Sequence, residues 1–582
     1  MTVVPSATSL YATPDGLQRP LRVVLVTPPQ VPGWVHAFHA LASGCDWLEP
    51  VVVTTDDAVL PQVVKVPLGL RAFIAFEHAV LGVNRSLARV PMLQAAATPA
   101  DAVLPLHERV AAAHPDLVIL FGPEAWAESL ARLAPLGCWH ASGSLLDRRH
   151  AGLSLVDPMV RGETATQIAL MLQAGEGAPL DLAASWGRTR ATSFLKQRED
   201  AFRKLPGLLV RGLHRLAGGY LRPSSHAVAT LQLPPMSSTG AIALRTLWST
   251  VRSSPRWLTG WFRNVRVGWT LVLRLGGLPL DPESPAIGSH ALLKAPKGWW
   301  GDPFVVAANG RKFVFVEEMA DPRSRKANIA CVELVAGGAQ RLGVAIDEPG
   351  HLSFPQVFEW QGTWYMTLES GYDRRVSLYQ ATDFPMGWSR IADLVTGRVA
   401  VDPVLHHHEG RWYLFANVAE NHNNTCDELF LFVADRLEGP YLPHPASPIV
   451  CDVRRARMAG RLFRRGGRLV RPGQDCAPGY GNAVVFNEVM ELSPTAYRER
   501  ALSRLAPRLA RMVDGCHTYN ADGGIEVLDI LGRPPNGTAF LQVFDAPALP
   551  PPSNVTFSDR FGMARNAPGV TSHGAAHTGP RR

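Results

Sequence analysis

Three stretches of the chain repeat one arrangement of polar side chains. GWWGDPFVVAANGRKFVFVEE (298–318) sets Asp302 before a first apolar run and Glu317 and Glu318 after a second. HLSFPQVFEWQGTWYMTLES (351–370) begins with Pro355-Gln356 and closes on Glu369, and AVDPVLHHHEGRWYLFANV (400–418) begins with Asp402 and closes on Asn417. Carboxylates brought together from such positions suit glycosyl chemistry. One serves as general acid or base, and another stabilises the positive charge that develops at an anomeric carbon. Proximity also separates their pKa values, so that one stays protonated for donation. Asp302, Asp402 and Glu369 are therefore the candidate catalytic residues. Taken singly, an Asp before Pro is a good turn residue, and it is the matched pair together with Glu369 that points to a shared site.

Cationic side chains gather later in the chain, with eight arginines between residues 452 and 476. A guanidinium fork pairs with phosphate or carboxylate, so the expected partner is a sugar nucleotide, a sugar phosphate or an acidic glycan. Candidate substrate-binding residues are Glu318, Gln356, Arg457, Arg471, Gln474, Asp475 and His517. No nucleic acid is expected, because aromatic side chains are not interleaved with the basic run. No metal site is expected. The run His406–His408 alternates between the faces of a strand, and no His/Cys set has a zinc spacing. No cofactor follows from the residues.

The elements that must position these groups show in the texture after residue 262, where short β-rich runs alternate with Gly, Asp, Asn and Pro. Asn309-Gly310, Gln361-Gly362 and Glu409-Gly410 each precede an aromatic run and read as hairpin turns. Strand–hairpin units recurring every 45–55 residues have the period of propeller blades. The expectation is a five-bladed β-propeller over 255–535 whose inner strands line one axis. Asp522 and Asp529 read as turn caps, and 536–582, rich in Pro, Gly, Ser and Ala, as a disordered tail.

Residues 285–520 resemble the five-bladed N-terminal domain of plant glucosamine inositolphosphorylceramide transferases, itself similar to glycosidases of the arabinanase and xylosidase type. The resemblance is carried by Gly301–Phe304, Phe313–Glu318, Ser353–Phe358, Tyr365–Glu369, Phe384–Trp388, Asp402, Arg411–Leu414, Ala456–Gly460, Arg471–Asp475 and His517–Asn520. It implies a base role for Asp302 and a tuning role for Asp402. The glycosidases carry an acidic Glu in the blade after Asp402, where this chain has Arg457 and Gly460, and the plant proteins' separate glycosyltransferase domain has no counterpart here. The function expected is a glycan- or glycolipid-modifying enzyme that transfers or cleaves a sugar. The alternatives are a non-catalytic glycan-binding scaffold and an amino-sugar N-formyltransferase.

The last alternative comes from the N-terminal region. Leu21–Pro28, Val51–Thr55 and Leu117–Phe121 read as strands, and Leu70–Leu87 and Pro123–Leu133 as helices, giving an α/β domain over 22–200 with a parallel sheet. No GxGxxG follows its first strand. PDLVILFG and GCWHASGSLL resemble the folate-dependent formyltransferases, with Cys138 where that family has Asn and His140 at its histidine, a secondary site. Residues 201–254 read as a helical connector and linker. Pro206 breaks or starts its helix, Pro223–Gly240 forms the junction, and the arginines beside its apolar stripe allow a peripheral membrane contact.

The 582-residue length requires more than one core, and a hydrophobic content of 46% supplies it. The 58 basic against 50 acidic residues give a net charge of +8, too small to single out a nucleic-acid binder. Seven scattered cysteines without a CxxC pair, and an N-terminus unlike a signal peptide, lead to the expectation of a reducing, cytoplasmic location, with or without attachment at a membrane surface.

Overall fold

The computed structural model describes residues 10–55, 75, 77–79, 88–92, 105–122, 124–141, 155–172, 180–191, 193–219, 228–231, 268–324, 326–371, 373–506, 513–532 and 540–545. Each expected turn dipeptide closes a hairpin. Asn309-Gly310, Gln361-Gly362 and Glu409-Gly410 all have φ between 47° and 78°, and they join Trp299–Ala308 to Arg311–Met319, Leu352–Trp360 to Thr363–Ser370, and Ala400–His408 to Arg411–Val418. Two successive left-handed residues match the right-handed twist of the flanking strands.

These hairpins are the inner halves of three antiparallel sheets. Blade I continues with Asn328–Val335 and Gly338–Ile346, blade II with Arg375–Asp383 and Gly387–Val395, and blade III with Leu429–Ala434 and Leu442–Pro443. Blade IV is built from Arg457–Met458, Phe463–Arg465, Arg468–Asp475, Ala483–Leu492 and Tyr497–Leu505. Blade V joins both ends of the region. Tyr519–Asp522 pairs with Ile525–Gly532, which pairs with Trp269–Leu275, which pairs with Ala291–Leu293. The earliest strand thus closes a five-bladed ring, as the repeat period predicts, and Trp269–Leu275 is a propeller strand.

Apolar faces pack blade on blade. Phe313 and Phe315 of blade I meet Val357, Met366, Phe384 and Trp388 of blade II, and Phe463, Val470 and Phe486 of blade IV meet Val272, Leu528 and Ile530 of blade V. Each fully buried side chain of this kind contributes roughly 1.5–3 kcal/mol. Close approach near the axis requires glycine at residue 460, where φ is 136° and a Cβ would lie 2.0 Å from the carbonyl oxygen of Tyr519.

The N-terminal region is α/β. Its parallel sheet runs in the order Leu48–Thr54, Leu21–Thr27, Leu117–Leu120, Cys138–Ala141, Val228–Leu231. The fifth strand lies inside the expected junction, so the sheet reaches past residue 200. The expected helix over Leu70–Leu87 falls largely outside the described residues, as does 255–267. Gln542–Asp545, in the expected tail, pairs with Gly338–Ile346 and adds a strand to blade I.

A hairpin, Ala165–Leu172 with Leu180–Arg188, leads into a 24-residue helix, Phe194–Ala217. This helix runs straight through Pro206, against expectation, because its surroundings outweigh the local cost of proline. Leu205, Leu208, Leu209 and Leu213 are buried in one continuous core with Trp34 and Phe121 of the α/β layer and with Trp412, Phe430 and Tyr441 of blade III. Of its basic residues, Lys196 and Arg215 are exposed. Arg198, Lys204 and Arg211 are buried, so the helix is a wedge between the two layers. No helix among the described residues is long and apolar enough to cross a membrane.

Candidate active site

The inner strands of blades I, II and III share an irregularity. Register slips between Gly301 and Phe304, between Ser353 and Gln356, and between Val401 and Val404. At each bulge the residue before proline is left-handed: Asp302 at φ 45°, Phe354 at 56° and Asp402 at 51°. A non-glycine residue held there costs of order 1 kcal/mol or more. The bulge re-aims the side chain relative to a regular strand, and two of the three are aspartates. The residue structurally equivalent to them in blade II is Phe354, not Gln356.

A second polar set faces these bulges. The second strand of each blade ends in a buried polar side chain: Glu317, Glu369, Asn417, Gln474 and Asp529 in blades I to V. Three of these accept a main-chain N–H from the next blade. Glu369 Oε2 takes the amide of Asp402 (2.5 Å), Asn417 Oδ1 that of Met458 (3.0 Å), and Asp529 Oδ2 that of Asp302 (3.1 Å). They stitch the blades together around the axis, and Glu369 also accepts from Ser353 Oγ at 2.7 Å.

Asp302, Asp402, Glu369, Arg457, Gln474 and His517 come together at this end of the axis. Arg457 forks onto Asp402 through Nε (2.7 Å) and Nη2 (3.2 Å), and its Nη1 donates to Thr425 Oγ1 at 2.7 Å. Gln474 Nε2 donates to Asp402 Oδ2 at 3.0 Å. Asp302 Oδ1 accepts from Thr518 Oγ1 (2.9 Å) and lies 3.3 Å from His517 Nε2, while Oδ2 has no hydrogen bond among the described residues. His517 stacks on Trp269 with ring centroids 3.9 Å apart, and its Nδ1 lies 2.7 Å from Asp529 Oδ2, off the N–H direction, so this is an ion-pair approach.

Burial and mutual repulsion set the protonation pattern. Burial pushes Glu369 up to about 8, with Asp402 adding to the effect. Glu317 rises to about 7, chiefly by burial, with Asp302 raising it further and His351, 3.0 Å away, opposing. Asp402 reaches about 6 because burial outweighs Arg457. Burial opposes charge on His517, but Asp529, Asp302 and Asp402 together carry it to about 9. One neutral carboxyl, one ionised carboxylate and an imidazolium thus coexist near neutral pH, a combination that acid–base chemistry uses.

Other expected binding residues are used elsewhere. Glu318 is held by an Arg341 fork and by Trp300 Nε1. Gln356 bridges to the backbone of Leu405 through both amide atoms. Arg471 is fully buried and forks onto Glu499. Asp475 accepts from Arg504 and from the amide of Ala477, fixing the loop that carries Tyr480. His140 is a core residue, with Nε2 3.1 Å from the carbonyl of Gly122 and Cys138 buried beside it.

The structure adds Glu317, Asp529, Tyr480, Trp269 and His351 to the site. Tyr480, 47% exposed, lies against Arg457 (4.9 Å) and edge-on to His517 (5.4 Å), at the solvent side of the group. Asp529 caps backbone, as expected, through the amides of Asp302, His517 and Thr518, but its position is axial. Asp302, His517 and Asp529 set one ligand atom each within 4.8 Å of one another. This set, which no sequence spacing announces, could hold a metal ion.

Residues 286–519 match the family described as glucosamine inositolphosphorylceramide transferase 1, N-terminal. The chain is 32% identical over 212 residues to glucosamine inositolphosphorylceramide transferase 1 of Arabidopsis thaliana, covering 35% of this chain and 27% of that protein. The protein of the same name from Oryza sativa subsp. japonica is 32% identical over 209 residues, with 35% and 28% covered. The chain therefore spans under a third of the length of these relatives, and the family match lies wholly in the propeller. A family 117 glycoside hydrolase of the marine bacterium Zobellia galactanivorans has a TM-score of 0.30 at 15% identity, covering 40% of this chain and 84% of that one. An exo-1,5-α-L-arabinanase from a bovine ruminal metagenomic library gives 0.28 at 14%, covering 43% and 98%.

Proposed function

We propose that this protein is a glycan-processing enzyme that acts on a sugar at the axial site, by transfer to an acceptor or by cleavage. The observation that carries the reading is the grouping of Asp302, Glu317, Glu369 and Asp402 with His517 and Arg457 at one end of the propeller axis. The propeller's sequence likeness to a domain of proteins named as glucosamine transferases supports it. Asp302, held by Thr518 and His517 through one oxygen, is the base. Glu369 is occupied by the amide of Asp402 and by Ser353, so Glu317, raised to about 7, is the better proton donor. The glycosidic C–O bond breaks as the Glu317 proton passes to the leaving oxygen. The incoming hydroxyl, from water or an acceptor sugar, gives its proton to Asp302. Asp402, locked by Arg457, is placed to stabilise charge at the anomeric carbon.

The test is turnover of a panel of nucleotide sugars, sugar phosphates and aryl glycosides by the wild-type protein and Asp302→Asn. The expected result is turnover of at least one substrate, with kcat lowered about 10²–10⁴-fold in the variant and KM changed little. Equal rates for both proteins on every substrate, or none with either, would sink the assignment. A glycan-binding role without catalysis is the second reading. It is favoured by the Arg457 fork on Asp402, in the blade where the glycosidases carry their acid, and it predicts saturable sugar binding unaffected by Asp302→Asn.

A further inference from the structure

The N-terminal region reaches the edge of the axial site. The strand Leu180–Arg188 lies along the segment between blades III and IV, with Trp186 N donating to Cys451 O (2.9 Å) and Val453 N to Trp186 O (3.0 Å). This places Arg188, at the end of that strand, beside the loop that carries Tyr480. Its Nη2 lies 3.9 Å from where a Cβ on Gly479 would be, one residue before Tyr480. Cys426 and Cys476, which also face Arg457, lie within its electrostatic reach.

Arg188 is half-buried, and its guanidinium has no hydrogen bond or ion pair among the described residues. Neighbouring arginines are all paired: Arg190 with Asp200 (2.6 Å), Arg454 with Asp452 (2.8 Å), Arg455 with Glu499 (2.9 Å) and Arg457 with Asp402 (2.7 Å). The charged and titratable groups that act on Arg188 are Arg190, Cys426, Cys476 and Asp200, and Asp200 is engaged by Arg190. Burial and the like charge of Arg190 both disfavour the guanidinium. A partly desolvated cation without a counter-ion is costly, and an anion arriving at the site removes that cost by forming a charge-assisted fork.

We infer that Arg188 is the anion-recognising residue of the axial site, so that the ligand carries a phosphate or carboxylate on its sugar. The inference rests on the sugar-binding reading of the site and narrows it. The anion lies near Tyr480, and the sugar hydroxyls lie toward Gln474, Asp302 and Asp402. Recognition is shared between regions, because the propeller supplies the acidic floor and the α/β region the cation.

Calorimetric titration of the full chain with three matched sets tests this: glucose, galactose and glucosamine, each beside its 1-phosphate, and for the first two the uronic acid as well. In at least one set the anionic member should bind tenfold or more tighter than the neutral sugar. Arg188→Gln should abolish that preference while changing neutral-sugar affinity less than twofold, and Arg188→Lys should keep part of it. Whether the 1-phosphate or the uronic acid gains identifies the anion. Neutral sugar binding with no anionic preference, or a preference that survives Arg188→Gln in protein of unchanged thermal midpoint, overturns the role of Arg188 and leaves the sugar reading standing. Failure of every member to bind wild type overturns both.

Discussion

Glu369 and His517 are both shifted upward, for opposite reasons. Glu369 is neutral in the fold because it is buried beside Asp402, and His517 is charged in the fold because Asp529 and Asp302 flank it. In each case the folded pKa lies above the unfolded one, so the protonated form stabilises the fold. That contribution is full below about 4.5 for the carboxyl and about 6.5 for the imidazole, and it is lost as pH rises through about 8 and about 9. The thermal midpoint should therefore fall by several degrees between pH 6.5 and 9.5. Glu369→Gln, which cannot ionise, should flatten the lower part of that fall, and a flat wild-type profile would refute the assignment. At this scale the two aspartates were legible because Asp-Pro recurs at matching places in two hairpins. Glu317, not its neighbour Glu318, joins the axial group, and no local spacing reports the bulge opposite it between Gly301 and Phe304. Asp529 and Trp269 were hidden for another reason, since closure of the ring brings them to the axis from opposite ends of the region.

The helix Phe194–Ala217 shows where local propensity stops being informative. Pro206 and Gly207 together argue for a break, yet the helix continues, and the carbonyl of Arg203 accepts from Asn421 Nδ2 at 3.0 Å. Gly207 is needed for a steric reason. A Cβ there would lie 2.1 Å from Glu420 Oε2, and that carboxylate is fixed by Tyr11 (2.8 Å) and buried. Helix propensity alone makes Gly207→Ala stabilising by about 1 kcal/mol. Overpacking against a side chain that cannot retreat costs about 1–3 kcal/mol, so the contact wins. Gly207→Ala should lower the midpoint of urea unfolding, and an increase would mean that Glu420 moves freely. The hairpins are the converse case. Their Asn-Gly, Gln-Gly and Glu-Gly turns carry the conformational requirement in two adjacent residues, so the sequence alone located them.

Across the whole molecule, the wedge helix ties the axial site to the α/β layer through buried charge. Lys204 Nζ lies 2.6 Å from Asp427 Oδ2, with both side chains at most 1% exposed, and Arg211 forks onto Glu428. Asn424 Nδ2 donates to Asp427, and the next residue, Thr425, holds Arg457. A chain of contacts thus leads from the N-terminal region to the carboxylate that Arg457 orients. Nothing in the sequence pairs Lys204 with Asp427, because an ion pair 223 residues apart leaves no periodic trace. Removing one partner of such a pair costs about 3–5 kcal/mol, since the other charge stays buried and uncompensated. A propeller separated from the helix would bury or expose Asp427, Glu428 and Glu420 unpaired, beside the apolar faces of Trp412, Phe430 and Tyr441. The two regions should therefore unfold together. Hydrogen exchange should show the amides of Phe194–Ala217 and of the blade III strand Leu429–Ala434 opening with one common free energy, and Lys204→Met should lower both equally. If the helix lost protection while the blade III strand kept its own, the layers would be merely adjacent, and the axial site would owe its geometry to the propeller alone.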